Sequence, residues 1–525
     1  MQKMPLTLQI TALFTCAILS LQAQPGAIDP SFSNDGKVWY DFGFQDNITD
    51  ITVQPADQKL VAVGTALSPA FAGQLLVLRL NPDGSPDTQF GTNGSVIITT
   101  FTESYAYDVK VLSDGKLLIA GASANEQYVF SGLLMRLLPD GSLDTGFGTN
   151  GMISLDLQGG DDFVYDMQLD AQGRIVLAGK SINAQFQNQP FVMRLNGDGS
   201  PDASFGNQGL SLLPVSNEDN VFNRVAIDAQ GRIVACGHYG LPLTQTGQFN
   251  LDVLVARFTD SGVLDASFAS NGSLILPISA EYVEAGMAMD LDAQGHIYVG
   301  GYTTQTDFSF DAILMKLDAN GALVNGFGNN GVVVFDQNVQ DVYYDLKIGS
   351  DQKLYACGTT GGFFFDDRDF LLSRIGLDGT PDATWGETGG FVTTTIDTAF
   401  DEANTLFFQA DGKVVLGGKG NNGLNNDAAF VRYVTDNETA IETLQGPRFS
   451  VWPNPISSEQ RLLLEWDAGQ EPESLELFDI QGRSWVHIRE ANMTSQIPLP
   501  ALAKGVYVLR ATKNGAYSTQ RVVVY

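Results

Sequence analysis

One aromatic residue returns along this chain at nearly constant spacing, as Phe32, Phe90, Phe147, Phe205, Phe268, Phe327 and Trp385, successive copies lying 58, 57, 58, 63, 59 and 58 residues apart. The residues around it repeat as well, most completely in Asp198-Gly-Ser-Pro-Asp-Ala-Ser-Phe-Gly-Asn-Gln-Gly209. Self-similarity at a fixed period restricts a chain to a stacked or circular repeat fold. Three further signals keep their offsets within each period. A tight turn, Asp57-Gln-Lys59, Asp114-Gly-Lys116 or Ala171-Gln-Gly-Arg174, separates two apolar runs, which is the hairpin signal. The run after it reaches a glycine each time, at Gly64, Gly121, Gly179, Gly237, Gly301, Gly358 and Gly418, and a glycine held there implies close backbone approach between neighbouring units. The next run carries one base among apolar residues: Arg79, Arg136, Arg194, Arg257, Lys316, Arg374 and Arg432.

A short apolar run after the Phe-Gly turn completes the unit, so each period supplies four strands, and helical periodicity is absent. Four-stranded units in series are the blades of a β-propeller, which hides its strand edges by closing a ring. A solenoid is the competitor, but its coils run to about 20 to 30 residues, too short for this period. The N-terminal segment has only the last strand type, Lys37 to Asp41, and the final copy, Glu402 to Val434, only the first three. The expected fold is therefore all-β: a seven-bladed propeller whose N-terminal strand closes the last blade beside Ala428 to Val434. One face receives the regular Asp-Gly turns. The other receives variable connections such as Thr65 to Gln74 and His238 to Asp252, where recognition on a rigid scaffold is usually built.

Composition narrows the partners. A net charge of −31 argues against nucleic acid, which needs clustered Lys and Arg. Residues 1–23 place Lys3 before a short apolar run and read as a secretory signal peptide, leaving no transmembrane segment in the mature chain. Cys236 and Cys357 then remain, at equivalent positions two repeats apart, too distant for a disulfide and read as buried apolar residues.

The combination Asp-Gly-Lys, Arg-Leu strand and Asp-Gly-Ser-x-Asp-x-x-Phe-Gly-x-x-Gly resembles the delta-60 repeat family of bacterial surface and secreted proteins, over about residues 29–434. Val324 in place of Asp, Trp385 in place of Phe and the extra residue in Asp260-Ser-Gly262 are local departures. Beyond a polar linker at 436–447, residues 448–525 show short alternating strands and read as a small Ig-like β-sandwich. Val451-Trp452-Pro453-Asn454-Pro455, the Asp479 to Gly482 turn and Gly505-Val506-Tyr507 resemble the type A C-terminal sorting domain of type IX secretion in Bacteroidota. The resemblance implies passage through the periplasm, recognition by the type IX machinery and a secreted or surface location for the propeller at 24–435.

Chemistry is sparse. No nucleophile elbow, zinc spacing or phosphate-binding loop occurs. No cofactor is expected, and no specific motif supports a bound cation such as calcium; Asp83-Gly-Ser-Pro-Asp87 lacks the later Glu ligand and reads as a hairpin turn. Two acidic rows align on the innermost strands. The first comprises Asp46, Asp162, Glu284, Asp341 and Asp401, and the second, four residues on, Asp50, Asp108, Asp166 and Asp345. Either they cap backbone N–H groups at their own strand entries or they form a polar funnel on the variable-loop face for a cation or sugar. Aromatics in the loops of that face, Phe71, Tyr128, Phe186, Phe249, Phe308 and Phe364, either stack on sugars or pack between blades. The reading is a non-enzymatic binding module for a glycan or protein; the alternative is a carbohydrate-active hydrolase or lyase using the axial carboxylates.

Overall fold

The computed structural model describes residues 24–213, 219–240, 250–278, 283–337, 340–362, 368–386, 388–396, 400–421, 423–435, 449–457, 461–466, 471–479, 483–489, 496–513 and 516–525. The signal peptide and the linker lie outside them. The chain divides into two compact units, one of them Gln24–Asp436 and the other containing Asn437–Tyr525. Among the described residues every regular element is a strand.

In the first unit the strands Asp46–Val53, Leu60–Leu67, Gly73–Leu80 and Ser95–Ile98 pair antiparallel in chain order. The pattern recurs over 103–155, 162–212, 220–276, 284–335 and 340–394, the last two sets being joined by a single bridge between Phe310 and Gln340. The seventh set is composite. Glu402–Phe408, Val414–Asn421 and Asn426–Tyr433 take as outer strand Lys37–Tyr40, in the register Lys37 to Val431 and Tyr40 to Ala428. The closure extends beyond that strand, because Gly26 donates to Val434 O at 2.8 Å, Asp29 N to Arg432 O at 2.8 Å and Val434 N to Ala27 O at 2.9 Å.

Successive residues of a strand point to opposite faces, and in a ring of blades both faces are covered. Leu60 and Ala62 accordingly pack toward the last blade with Val415 and Phe430, while Val61 and Val63 pack toward the second with Ala106 and Ile119. This is why the second and third strands are nearly uninterrupted runs of apolar residues. The remaining apolar clusters likewise join consecutive blades, ending with Tyr355 and Leu372 of the sixth against Leu416 and Val431 of the seventh.

The repeated base ties the blades. Arg79, Arg136, Arg194, Arg257, Arg374 and Arg432 bond Asp87, Asp144, Asp202, Asp265, Asp382 and Asp29 through Nε at 2.7 to 3.0 Å. Each also lies 4.3 to 4.8 Å over the repeat aromatic. Arg79, Arg194, Arg257, Arg374 and Arg432 also reach a carbonyl on the following blade side, those of Pro139, Asp260, Ala319, Thr435 and Pro82. A guanidinium satisfied on three sides explains why Arg194 and Arg257 tolerate nearly complete burial. Where Val324 removes the carboxylate, the base is Lys316, which needs fewer acceptors and donates to Leu377 O at 3.1 Å.

The repeated glycine differs from expectation. A Cβ on Gly64 would lie 1.8 Å from Asn47 O, on the innermost strand of its own blade, and Gly121, Gly179 and Gly358 meet Tyr105, Phe163 and Val342 in the same way. The close approach is within a blade. Its cause is a bulge in the innermost strand, between Ile48 and Asp50 in the first blade, which presses the carbonyl before it against the partner strand.

In the second unit Phe449–Trp452, Arg461–Trp466 and Gln496–Pro498 form one sheet, and Ser484–Arg489, Ser474–Asp479, Gly505–Lys513 and Ala516–Val524 form the other. Leu462, Leu475, Leu477, Ile497, Leu509 and Val522 fill the space between them.

Candidate functional site

The bulge splits the two acidic rows. Above it, at the strand entries, Asp46, Asp162, Asp341 and Asp401 are buried and accept the backbone N–H of Phe42, Leu157, Gln337 and Ile396 at 2.6 to 2.9 Å. Glu284, equally buried, accepts from Thr303 Oγ1 at 3.3 Å. The first row thus holds the chain as it arrives at each strand. Burial pushes Asp162 up to about 6, against the bonds from Ser181 and Leu157 that pull it down.

The second row lies below the bulge and lines an axial cavity of about 250 Å³. Asp50 Oδ2 accepts Val109 N at 3.0 Å, Asp108 Oδ2 accepts Met167 N at 2.7 Å, Asp166 Oδ2 accepts Val225 N at 2.6 Å and Asp345 Oδ2 accepts Leu406 N at 3.0 Å. Each carboxylate therefore caps the innermost strand of the next blade, and Asp166 and Asp345 accept in addition the N–H of Met167 and Leu346 on their own, both at 2.9 Å. The fifth blade has Ala288 in the row and makes the same bond from Asp290, two residues on, to Ile348 N at 2.8 Å. The circuit closes through Thr405 Oγ1, which donates to Asp50 Oδ1 at 3.2 Å.

Arg224, which stands in the second row in the fourth blade, lines the cavity too, together with two bases missed by the sequence reading, Lys110 and Lys347. Lys110 Nζ bonds Asp108 at 2.5 Å and Lys347 Nζ lies 3.4 Å from Asp345. The signal for them was spacing, since Lys110 and Lys347 stand two residues after a row member and so on the same strand face. Although burial pulls its pKa down, the surrounding Asp108, Asp50 and Asp166 raise that of Lys110. Burial, then the neighbouring Asp108 charge, pushes Asp50 upward and Asp166 up to about 7, while Lys110 and the hydrogen bonds it receives hold Asp108 down against burial. The cavity is a network of acids and bases already engaged with one another and with backbone. Its placement on the hairpin-turn side of the bulge differs from the expected funnel on the variable-loop face, because the bulge residues Tyr107 and Tyr165 stand between the rows.

On the variable-loop face a different set stands out. Phe71, Tyr128, Phe186 and Phe308 occupy the same position in the second-to-third strand turn of four blades and are 64, 62, 87 and 72 % exposed. Each closes its turn by donating to the residue three before it, Ser68, Asn125, Asn183 and Gln305, at 2.8 to 3.0 Å. Each has φ near +60°, a left-handed conformation that bulky side chains seldom adopt. These rings remain largely in solvent, Phe71 also meeting Phe44 edge-on at 4.6 Å between ring centroids. Phe249 and Phe364 lie outside the described residues.

In the sandwich, Asn454 donates to Arg521 O and accepts from Val523 N at 2.9 Å, while Trp452, Pro453 and Pro455 are exposed. Asp479 accepts from Arg483 N at 2.9 Å and Trp485 Nε1 at 3.1 Å, Gly505 is exposed, and buried Tyr507 donates to Ala503 O at 3.0 Å. Gly482 lies outside the described residues.

Repeated four-stranded blades and a terminal sandwich define the class, a β-propeller with an appended β-sandwich. Residues 56–90, 112–147 and 172–205 match the family described as domain of unknown function (DUF5122) beta-propeller, and residues 450–525 match the secretion system C-terminal sorting domain. Those three segments are thus similar to that propeller repeat and the C-terminal segment to that sorting domain, which directs export through type IX secretion to the cell surface or extracellular space. No curated protein matches it. Similar solved structures include PorZ, a surface component of the type IX secretion system of Porphyromonas gingivalis, at 13 % identity over 89 % of this chain and 58 % of that one, with a TM-score of 0.35. A PL25 ulvan lyase is 11 % identical over 77 and 96 % of the two chains, with a TM-score of 0.44. Semaphorin 1a of Drosophila is 9 % identical over 79 and 93 %, at 0.39. These likenesses concern the fold, and the chain spans little more than half of PorZ. Among the described residues no helix is long and apolar enough to cross a membrane.

Proposed function

We propose that this protein is a non-catalytic binding module, displayed or released outside the cell, that grips a carbohydrate chain with the aromatic rings of its variable-loop face. The observation that carries the reading is the crown of Phe71, Tyr128, Phe186 and Phe308. Exposing one large apolar ring needs no explanation, but four at one repeat position, each in a backbone conformation better suited to Asn or Gly, do. Rigid rings with a flat apolar face contribute contact area at small entropic cost, which suits the apolar faces of sugar rings. The net charge of −31 disfavours a polyanionic glycan, so the expected ligand is neutral or cationic. The axial carboxylates serve the ring itself in this reading, as staples between blades. Native affinity gels cast with neutral polysaccharides test it, comparing the parent with a variant carrying alanine at all four crown positions. Retardation of the parent and its loss in the variant are expected. Equal mobility of the two on every gel contradicts the proposal, and release of sugar ends would replace it with the hydrolase or lyase alternative.

A further inference from the structure

Three carboxylates from three segments meet at the seam where the ring closes. Asp41 follows the N-terminal closing strand, Asp46 opens the first blade and Asp427 lies on the third strand of the last blade, and each presents an oxygen within 4.8 Å of the others. Asp46 and Asp427 are 1 and 3 % exposed, so solvent screens their repulsion poorly. Asp46 Oδ2 accepts Phe42 N at 2.6 Å, but Asp46 Oδ1 is shielded from solvent and has no hydrogen-bond partner. Asp41 Oδ1 accepts Gly43 N at 2.7 Å, and Asp427 Oδ1 accepts Asn425 Nδ2 at 3.2 Å.

The sixth and seventh blades show what Asp46 lacks, although Asp162 Oδ1 in the third is also without a partner. Asp341 Oδ1 receives the hydroxyl of Thr360 at 2.6 Å, and Asp401 Oδ1 receives Asn421 N at 3.0 Å. The residue paired with Asp46 on the neighbouring strand is Ala66, which has nothing to donate. The fifth and sixth blades carry the same three acids, Asp311, Asp336 and Asp341, but there Gln305 Nε2 donates to Asp311 at 2.6 Å and Thr360 to Asp341. Protein donors offset the charge at that seam. At the closing seam Asn425 donates to Asp427, but Asp46 Oδ1 receives no donor.

We propose that Asp41, Asp46 and Asp427 bind one hard divalent cation of the calcium type, which joins the closing strand, the first blade and the last blade. Calcium takes oxygen ligands at about 2.3 to 2.6 Å, so two oxygens on one ion lie at most about 5 Å apart, the spread found here. The ion supplies Asp46 Oδ1 with its partner and removes the repulsion among three acids. Extracellular modules bind calcium at about 0.1 to 1 mM, which suits an exported protein.

The test is calorimetric titration of the full chain, stripped with a chelator, with calcium chloride and separately with magnesium chloride. One saturable calcium site is expected, bound at least tenfold more tightly than magnesium and accompanied by a rise in melting temperature. Asp41→Asn, an exposed change that leaves the core alone, should weaken calcium at least tenfold, as should Asp427→Asn; Asp336→Asn at the other seam should match the parent. Absence of a saturable calcium site, equal preference for magnesium, or undiminished affinity in Asp41→Asn overturns the proposal.

Discussion

Gln352 stands exposed with φ of 59° in a hairpin turn whose counterparts elsewhere include Gly115, Gly173, Gly231, Gly295 and Gly412. A side chain in that conformation costs about 1 to 2 kcal/mol, part of which a glycine returns as entropy of the unfolded chain. Gln352→Gly should therefore stabilise the propeller by about 0.5 kcal/mol in denaturant titrations. Asp162 makes a pH-dependent case. Its folded pKa of about 6 exceeds the ordinary 3.8, so its contribution is fully favourable only below about pH 4 and is lost as pH rises through 6. Asn220 fills the equivalent place in the fourth blade and accepts from Gly240 N at 3.1 Å, so the amide fits. Asp162→Asn should raise stability at pH 7.5 by about 1 kcal/mol, allowing for screening, and leave it unchanged at pH 4. A gain of equal size at both pH values would remove titration as the cause.

The Arg-Asp-aromatic latch belongs to the scale of strand and turn. Asp265→Val strands Arg257 without its carboxylate in a nearly sealed site, and a loss of about 3 kcal/mol is expected. Adding Arg257→Lys recreates the natural pairing of Lys316 with Val324 and should recover at least about 1 kcal/mol, measured as the coupling in a double-mutant cycle. Additive losses would mean that base and acid act separately. This level was also the most legible in sequence, because strand order, the hairpin turns and the basic strand recur in aligned columns. What the columns lacked was direction. Asp50 and Asp46 align as similar carboxylates, yet one bonds the next blade and the other its own entry, because a bulge between them reverses the facing of the strand. The glycine column misled for the same reason: its close neighbour is that bulge. The crown aromatics were visible as residues, but their exposure follows from the positive φ at the turn tip, which the sequence does not print.

Across the whole propeller, two populations of carboxylates oppose each other. The latch acids Asp202 and Asp382 are lowered to about 2, the first chiefly by the Ser204 hydroxyl and the second by Thr384 and Arg374 against its burial. Their stabilisation is complete above about pH 4 and is lost as pH falls toward 2. Asp162 and Asp166, raised to about 6 and about 7, contribute in the opposite sense and lose their favourable share between pH 4 and 7. Melting temperature should peak at about pH 4 to 5 and fall on both sides, and a monotonic rise to pH 8 would count against the raised acids. The variable-loop face keeps its arrangement only while the ring is closed, and the ring closes through residues 24–42, which pair with the last blade from Gly26 to Tyr40. Deleting them uncovers the edge of Asn426–Tyr433 and removes the Arg432 to Asp29 latch. The direct measurement is a pair of melting curves, one for a chain lacking 24–42 and one for a chain ending at residue 445. The first should melt about 10 °C or more below the parent and the second within a few degrees of it; an N-terminal deletion that melts with the parent would contradict the closed ring.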